Sequence, residues 1–159
     1  MRDFYSSPHY YEIAFSFRDI GHEFNVFEEC FRRYSKIPVR QVLELGSGPS
    51  PHLEEFARRG YDYIGLDCNP VMLDYAQQKA RSLGMPATFI QADMRQFALE
   101  IPVDFAYVLL GSLYAETTED VLSHLAAAAH VLQSGGSICS IGVSGFSGRR
   151  RLSVSRAGR

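Results

Sequence analysis

The sequence predicts an α/β three-layer sandwich around a mostly parallel sheet, and three observations carry that prediction. Apolar runs of strand length alternate with segments of helical period; the first run, Val42 to Leu45, flows into Gly46-Ser47-Gly48; and Asp67 closes the second run 21 positions after Gly46. Strands and helices alternating at this length form a parallel sheet covered on both faces, with right-handed crossovers. The chain has 159 residues, 46% hydrophobic and 21% charged, which suits one domain with a sizeable core.

The elements follow in order. Ile20, Phe24, Phe27, Phe31 and Tyr34 recur at three- and four-residue spacing, the apolar stripe of a helix that packs on a sheet. Gln41 to Leu45 is the first strand. Ser50 and Pro51 read as an N-cap and a first helical residue, predicting a helix from Pro51 to about Arg59 that Gly60 stops. Its positive end would face the ligand site and favour an anionic group. Asp62 to Leu66 is the second strand. Asn69-Pro70 then starts a helix with Met72, Ala76, Ala80 and Leu83 on one face, and Gly84 ends it. Ala87 to Gln91 is the third strand and Val103 to Leu110 the fourth. A helix over Thr117 to Leu132 leads through Gly135-Gly136 to a fifth strand, Ser137 to Val143.

The glycine pair and the acid have a chemical meaning together. Glycines without a Cβ let the backbone turn sharply and approach a ligand closely. A carboxylate at the end of the next strand accepts both hydroxyls of a ribose. The pair points to an adenosine cofactor. Dinucleotides use the same device, so a NAD-dependent oxidoreductase domain stays open; Pro51 where a third glycine should fall and the lack of a second domain weigh against it.

Composition narrows the class further. Cys30, Cys68 and Cys139 are an odd number at wide spacing, fitting neither a disulfide framework nor a zinc ribbon, and a reducing cytoplasm is expected. No stretch has the length or apolarity of a signal peptide or a membrane span. His9, His22, His52, His124 and His130 lack metal-ligand spacing and are read as structural or exposed, so no metal is expected. Arg18 reads as half of a surface salt bridge.

Several segments resemble the class I S-adenosylmethionine-dependent methyltransferases of small-molecule type, over roughly Val39 to Gly136. Glu44-Leu45-Gly46-Ser47-Gly48 resembles the family's first glycine motif, which cradles the methionine part of S-adenosylmethionine. Asp67 resembles its ribose-binding acid, and Cys68, Asn69 and Met72 fall where the family packs around the adenosine. Gln91-Ala92-Asp93-Met94 resembles the segment whose acid meets the adenine amino group and whose next side chain lies along the ring. Leu110 falls beside the methionyl moiety, and Tyr10-Tyr11 resembles a tyrosine-bearing lead-in folded over the cofactor. The resemblance implies a Rossmann-like fold and methyl transfer by in-line displacement to a small-molecule acceptor. The Asn/Asp-Pro-Pro-Tyr motif of enzymes that methylate base amines is absent, which argues against a DNA amino-methyltransferase. No residue is singled out as catalytic, and a noncatalytic cofactor-binding fragment is the alternative.

The division that follows is a helical cap at 1–38, the cofactor-binding domain at 39–143 and a basic, disordered tail at 144–159. The net charge is −2, yet the last acid is Asp120 and five arginines, Arg149, Arg150, Arg151, Arg156 and Arg159, crowd the end. That run reads as a solvated tail rather than a nucleic-acid site. The family's sheet has two further antiparallel strands, and here the residues after Gly136 are too rich in Ser, Gly and Arg to supply them. Five strands are therefore expected, without the C-terminal hairpin. Codons read one step out of frame across Ile138-Cys139-Ser140 are compatible with a more apolar strand ending in Asp-Trp. A frameshift near Gly136 would explain the change of composition.

Overall fold

The computed structural model describes residues 6–109, 112 and 117–141. Two helices, α1 (Pro8–Ala14) and α2 (Ile20–Tyr34), precede β1 (Gln41–Leu45), α3 (Leu53–Arg58), β2 (Asp62–Asp67), α4 (Pro70–Ser82), β3 (Ala87–Gln91), β4 (Val103–Leu109), α5 (Thr118–Val131) and β5 (Leu132–Ile141). The sheet is parallel throughout, in the order β3-β2-β1-β4-β5. Its order reverses beside β1, so the chain leaves β1 and β4 toward opposite sides and opens a crevice at their carboxyl ends. The expected fold class holds: five described strands form a Rossmann-like three-layer sandwich.

Strand alternation divides the core in two. Val42, Tyr63, Phe105, Tyr107 and Cys139 face one side with Phe24, Phe27 and Phe31 of α2 and Phe56 of α3. Leu43, Leu45, Leu66, Ala106, Val108 and Ile138 face the other, against Ala128 and Val131 of α5. The first side is the more aromatic: Phe27 lies 4.6 Å from the Tyr107 ring, and Phe24 4.6 Å from Phe56. The expected stripe on α2 is thus the inner lining of a layer, and Asp19 caps it by accepting from the His22 N–H at 2.9 Å.

Three boundaries differ from expectation, each for a tertiary reason. Ser50 is not an N-cap: it sits at φ +52°, fully buried, its Oγ hydrogen-bonded to the Tyr63 hydroxyl at 2.9 Å, and α3 starts only at Leu53. Leu83 is exposed rather than on the packed face of α4, because it falls at the C-cap where the chain turns into Gly84 at φ +64°. Helix α5 passes straight into β5 at Leu132, which pairs with Val103 before a register shift restores pairing at Phe105 and Ser137. The end of the fourth strand at Leu110, the last residues of the fifth, the tail at 144–159 and the missing hairpin lie outside the described residues.

Within that register shift Gly136 is a steric necessity. A Cβ there would stand 2.7 Å from the Asp104 carbonyl oxygen and 3.0 Å from that of Gln133, both backbone atoms that cannot swing aside. Gly136→Ala is therefore expected to cost about 2 kcal/mol in a thermal melt. At Gly84, where nothing lies within 4 Å of the position, only the positive φ opposes alanine and about 1 kcal/mol is expected. A loss at Gly136 no larger than at Gly84 would mean that the Asp104 and Gln133 carbonyls yield to the added methyl group.

Among the described residues no helix is long and apolar enough to cross a membrane, and no group of three or more metal-ligating side chains is assembled.

Candidate cofactor site

The carboxyl ends of β1, β2 and β3 are stitched together by backbone hydrogen bonds. The Ser47 N–H donates to the Leu66 carbonyl at 2.9 Å, and the Ala92 N–H to the Asp67 carbonyl at 3.1 Å. Gly46 and Gly48 both hold positive φ, +66° and +52°, so the loop after β1 doubles back over the end of β2. At Gly46 the space is full: a Cβ would meet Ser112 Cβ at 2.7 Å and Met94 Cε at 3.2 Å. At Gly48 nothing lies within 4 Å.

Asp67, half-buried at the end of β2, has its carboxylate held from two directions. The Gly48 N–H donates to Oδ2 and the Asn69 N–H to Oδ1, each at 2.8 Å. Each oxygen keeps lone-pair capacity for a further donor. Two adjacent hydroxyls are the ligand chemistry such a fixed pair of acceptors suits. Asn69 also caps α4, its Oδ1 accepting from the Val71 N–H at 3.0 Å, and exposed Cys68 lies between the two. The Cys68 thiol is pushed up by burial and by the neighbouring Asp67 charge.

Other predicted residues fall around this centre. Met94 reaches Gly46 while packing on the α5-side core. Asp93 is exposed and grips Arg95 through both oxygens, at 2.6 Å for the shortest contact; the Arg95 hydrogen bonds bring its pKa down to about 2. Tyr11 of α1, its ring 4.5 Å from Phe15, lines a cleft of about 190 Å³ with Phe15, Arg18, Pro49 and Pro51, beside the residues that follow the glycine loop. Helix α1 is fixed there by Glu12, which accepts from the Tyr75 hydroxyl at 2.6 Å and from Lys79 Nζ at 2.9 Å. The Glu12 bond drives the Tyr75 hydroxyl up to about 12. A larger hollow of about 700 Å³ lies where β1, β2 and β3 begin, at the other end of the sheet from the loop. Leu110 lies outside the described residues.

Two predicted contacts are placed elsewhere. Met72 is 1% exposed, so it packs beneath the site and offers no surface to a ligand. Glu44 points to the aromatic side of the sheet, between Tyr107 and Gly65 on the adjoining strands, with a side chain 4% exposed. Its carboxylate accepts from the Tyr63 hydroxyl and faces His52 Nδ1 at 3.6 Å. Strand alternation explains this, because Glu44 shares the face of Val42.

Beneath the loop lies a polar cluster that sequence reading missed. Arg18 forms its expected salt bridge, but not at the surface: its side chain is 6% exposed and donates to both oxygens of Glu23. Glu23 Oε2 stands 2.9 Å from Nε2 of fully buried His52. Burial opposes ionisation of Glu23, but the hydrogen bonds and charges of His52 and Arg18 outweigh it and set its pKa at about 2. Burial, and then the Glu44 charge beside them, push the Tyr63 and Tyr107 hydroxyls well above their usual range.

Comparison with known proteins agrees with this geometry. The methyltransferase domain family matches residues 42–136. The putative methyltransferase YqeM of Bacillus subtilis is 31% identical over 98 residues, 60% of this chain and 39% of the relative. The dTDP-3-amino-3,4,6-trideoxy-α-D-glucopyranose N,N-dimethyltransferase of Streptomyces venezuelae is 31% identical over 96 residues, again 60% and 39%. Among solved structures, an S-adenosylmethionine-bound amino pentose methyltransferase from Micromonospora echinaspora superposes with a TM-score of 0.71 at 25% identity, over 89% of this chain and 58% of its own. The chain spans about two fifths of the length of those two sequence relatives. With the profile covering more than half of its residues, on the strands and loop that build the crevice, the chain belongs to the methyltransferase domain family.

Proposed function

We propose that the crevice binds S-adenosylmethionine and serves methyl transfer to a small-molecule acceptor by in-line displacement. The observation that carries this reading is the Asp67 carboxylate, fixed by the Gly48 and Asn69 N–H groups at the mouth of the glycine loop. The residues fit the group: paired acceptors for the ribose hydroxyls and open space at Gly48 for close backbone approach. Membership in the family favours this cofactor over a dinucleotide.

When bound, S-adenosylmethionine supplies a methyl group already activated on a sulfonium. The protein's part is alignment and exclusion of water. Asp67 would orient the ribose, the Gly46–Gly48 loop the methionyl end, and Met94 and Asp93 the adenine edge. Tyr11 and Phe15 would shield the loop from solvent. The named substrate of the Streptomyces relative carries an amino group on a sugar nucleotide, which supports an acceptor of small-molecule size here. A cytoplasmic setting suits three cysteines that are all free thiols.

Calorimetry of the full chain with S-adenosylmethionine, and with NAD as the comparison, tests the reading. Saturable binding selective for S-adenosylmethionine is expected; preference for NAD, or no binding by a folded chain, would overturn it. Binding without methyl turnover across amine and hydroxyl acceptors would reduce the reading to a noncatalytic cofactor-binding unit.

A further inference from the structure

Buried His52 is bracketed by two carboxylates from different layers, and it sits in the turn that connects the glycine loop to α3. Nε2 lies 2.9 Å from Glu23 Oε2 on α2, and Nδ1 lies 3.6 Å from Glu44 Oε1 on β1. Arg18 approaches Nε2 at 3.3 Å while donating to Glu23. The remaining neighbours are the rings of Phe27 and Tyr107, met edge-on at 5.2 and 5.8 Å, with the Tyr63 hydroxyl across Glu44. These groups come from every element packed on the imidazole.

Neither neutral tautomer suits this geometry. A proton on Nε2 satisfies Glu23 but turns the Nδ1 lone pair toward the Glu44 oxygen. A proton on Nδ1 faces Glu44 at 3.6 Å and leaves Nε2 able to accept from Arg18 at 3.3 Å, but it sets that lone pair against the closer Glu23 oxygen at 2.9 Å. Only the doubly protonated ring turns a proton toward both carboxylates, as a hydrogen bond to Glu23 and as a charge contact with Glu44. Charge agrees: Arg18, Glu23 and Glu44 sum to one negative charge in a site with His52 0% exposed, and an imidazolium cancels it.

We propose that His52 is a positioning residue held as an imidazolium, a buried clamp between Glu23 and Glu44 that sets the conformation of the loop from Gly46 to Pro51. Glu44 is two residues before Gly46 and His52 two after Ser50, so the clamp grips the loop at both of its roots. Burial opposes the charged ring, but the Glu23 hydrogen bond and the nearby Glu44 charge prevail and raise its pKa above the ordinary histidine value. A raised folded-state pKa gives stabilisation that is complete below the unfolded value and lost as pH climbs through the folded one. The loop therefore loosens on the alkaline side. That this loosening releases S-adenosylmethionine rests on the cofactor reading above.

The test is nuclear magnetic resonance of the cofactor-free chain from pH 5.5 to about 9, following the His52 ring nitrogens and the amides of Gly46, Ser47 and Gly48 together. The ring should be doubly protonated at neutral pH and titrate above the ordinary histidine range of about 6.5, and the loop amides should shift with the same midpoint. A ring that is neutral at pH 7, or loop amides that ignore its titration, would overturn the proposal. Glu23→Gln, outside the crevice, should lower both midpoints by about one pH unit or more; an unchanged midpoint in a folded variant would also overturn it. Calorimetry in parallel should show affinity for S-adenosylmethionine falling about tenfold across the wild-type midpoint. The ligand's own amino group titrates identically against both proteins, so the displacement between wild type and variant isolates His52. Coupled ring and loop titrations without any binding would uphold the clamp and reject the cofactor reading instead.

Discussion

Asp67→Ala is expected to weaken S-adenosylmethionine binding by about 100-fold or more while the chain still folds. A hydrogen bond to a charged group contributes about 1.5–3 kcal/mol. The carboxylate offers two of them to a ribose, and each 1.4 kcal/mol corresponds to about a tenfold change. The structural loss is smaller, because Asp67 is half-buried and water can replace it at the Gly48 and Asn69 N–H groups. Calorimetry beside a thermal melt separates the two effects. Affinity within about threefold of wild type would remove Asp67 from the site.

Phe27→Ala should be the most damaging single change to the fold, costing about 3–5 kcal/mol. Phe27 is 0% exposed and its ring lies between 4.6 and 6.3 Å from those of Phe24, His52, Phe56, Phe105 and Tyr107. Those neighbours come from α2, α3, β4 and the turn before α3, so the cavity would open where the helical layer meets the sheet and no single element can collapse into it alone. For a domain of this size that loss lowers the melting temperature by about 10 °C. A drop of only a few degrees would mean that the aromatic layer repacks freely.

Much of this fold is local, and what is local was readable. The α2 stripe, the Asn69-Pro70 start of α4 and the strands at Gln41–Leu45 and Ala87–Gln91 stand where periodicity and capping chemistry put them. Asp67 and the glycines likewise lie together because 21 residues are one crossover unit. The start of β5 was not readable, since no breaker separates it from α5 and only pairing with Val103 makes Leu132 a strand residue. Nor was Ser50, whose left-handed backbone depends on burial and the Tyr63 hydroxyl. The polar cluster under the loop escaped for the same reason: Arg18 and His52 are 34 residues apart and Glu23 and His52 29 apart. A histidine without spacing partners in sequence carries no signal until the tertiary fold supplies two carboxylates.

The attachment of α1 bears on how fast a ligand could come and go. None of its residues is buried, and Glu12 is its described polar tether to α4. A segment held by a few half-exposed polar contacts detaches at far lower free energy than the sheet unfolds. Because Lys79–Glu12 is an ion pair within reach of solvent, dissolved salt weakens it while leaving the aromatic layer untouched. Ionic strength would then govern residence time in the crevice through the frequency of that detachment, with little effect on the melting of the domain.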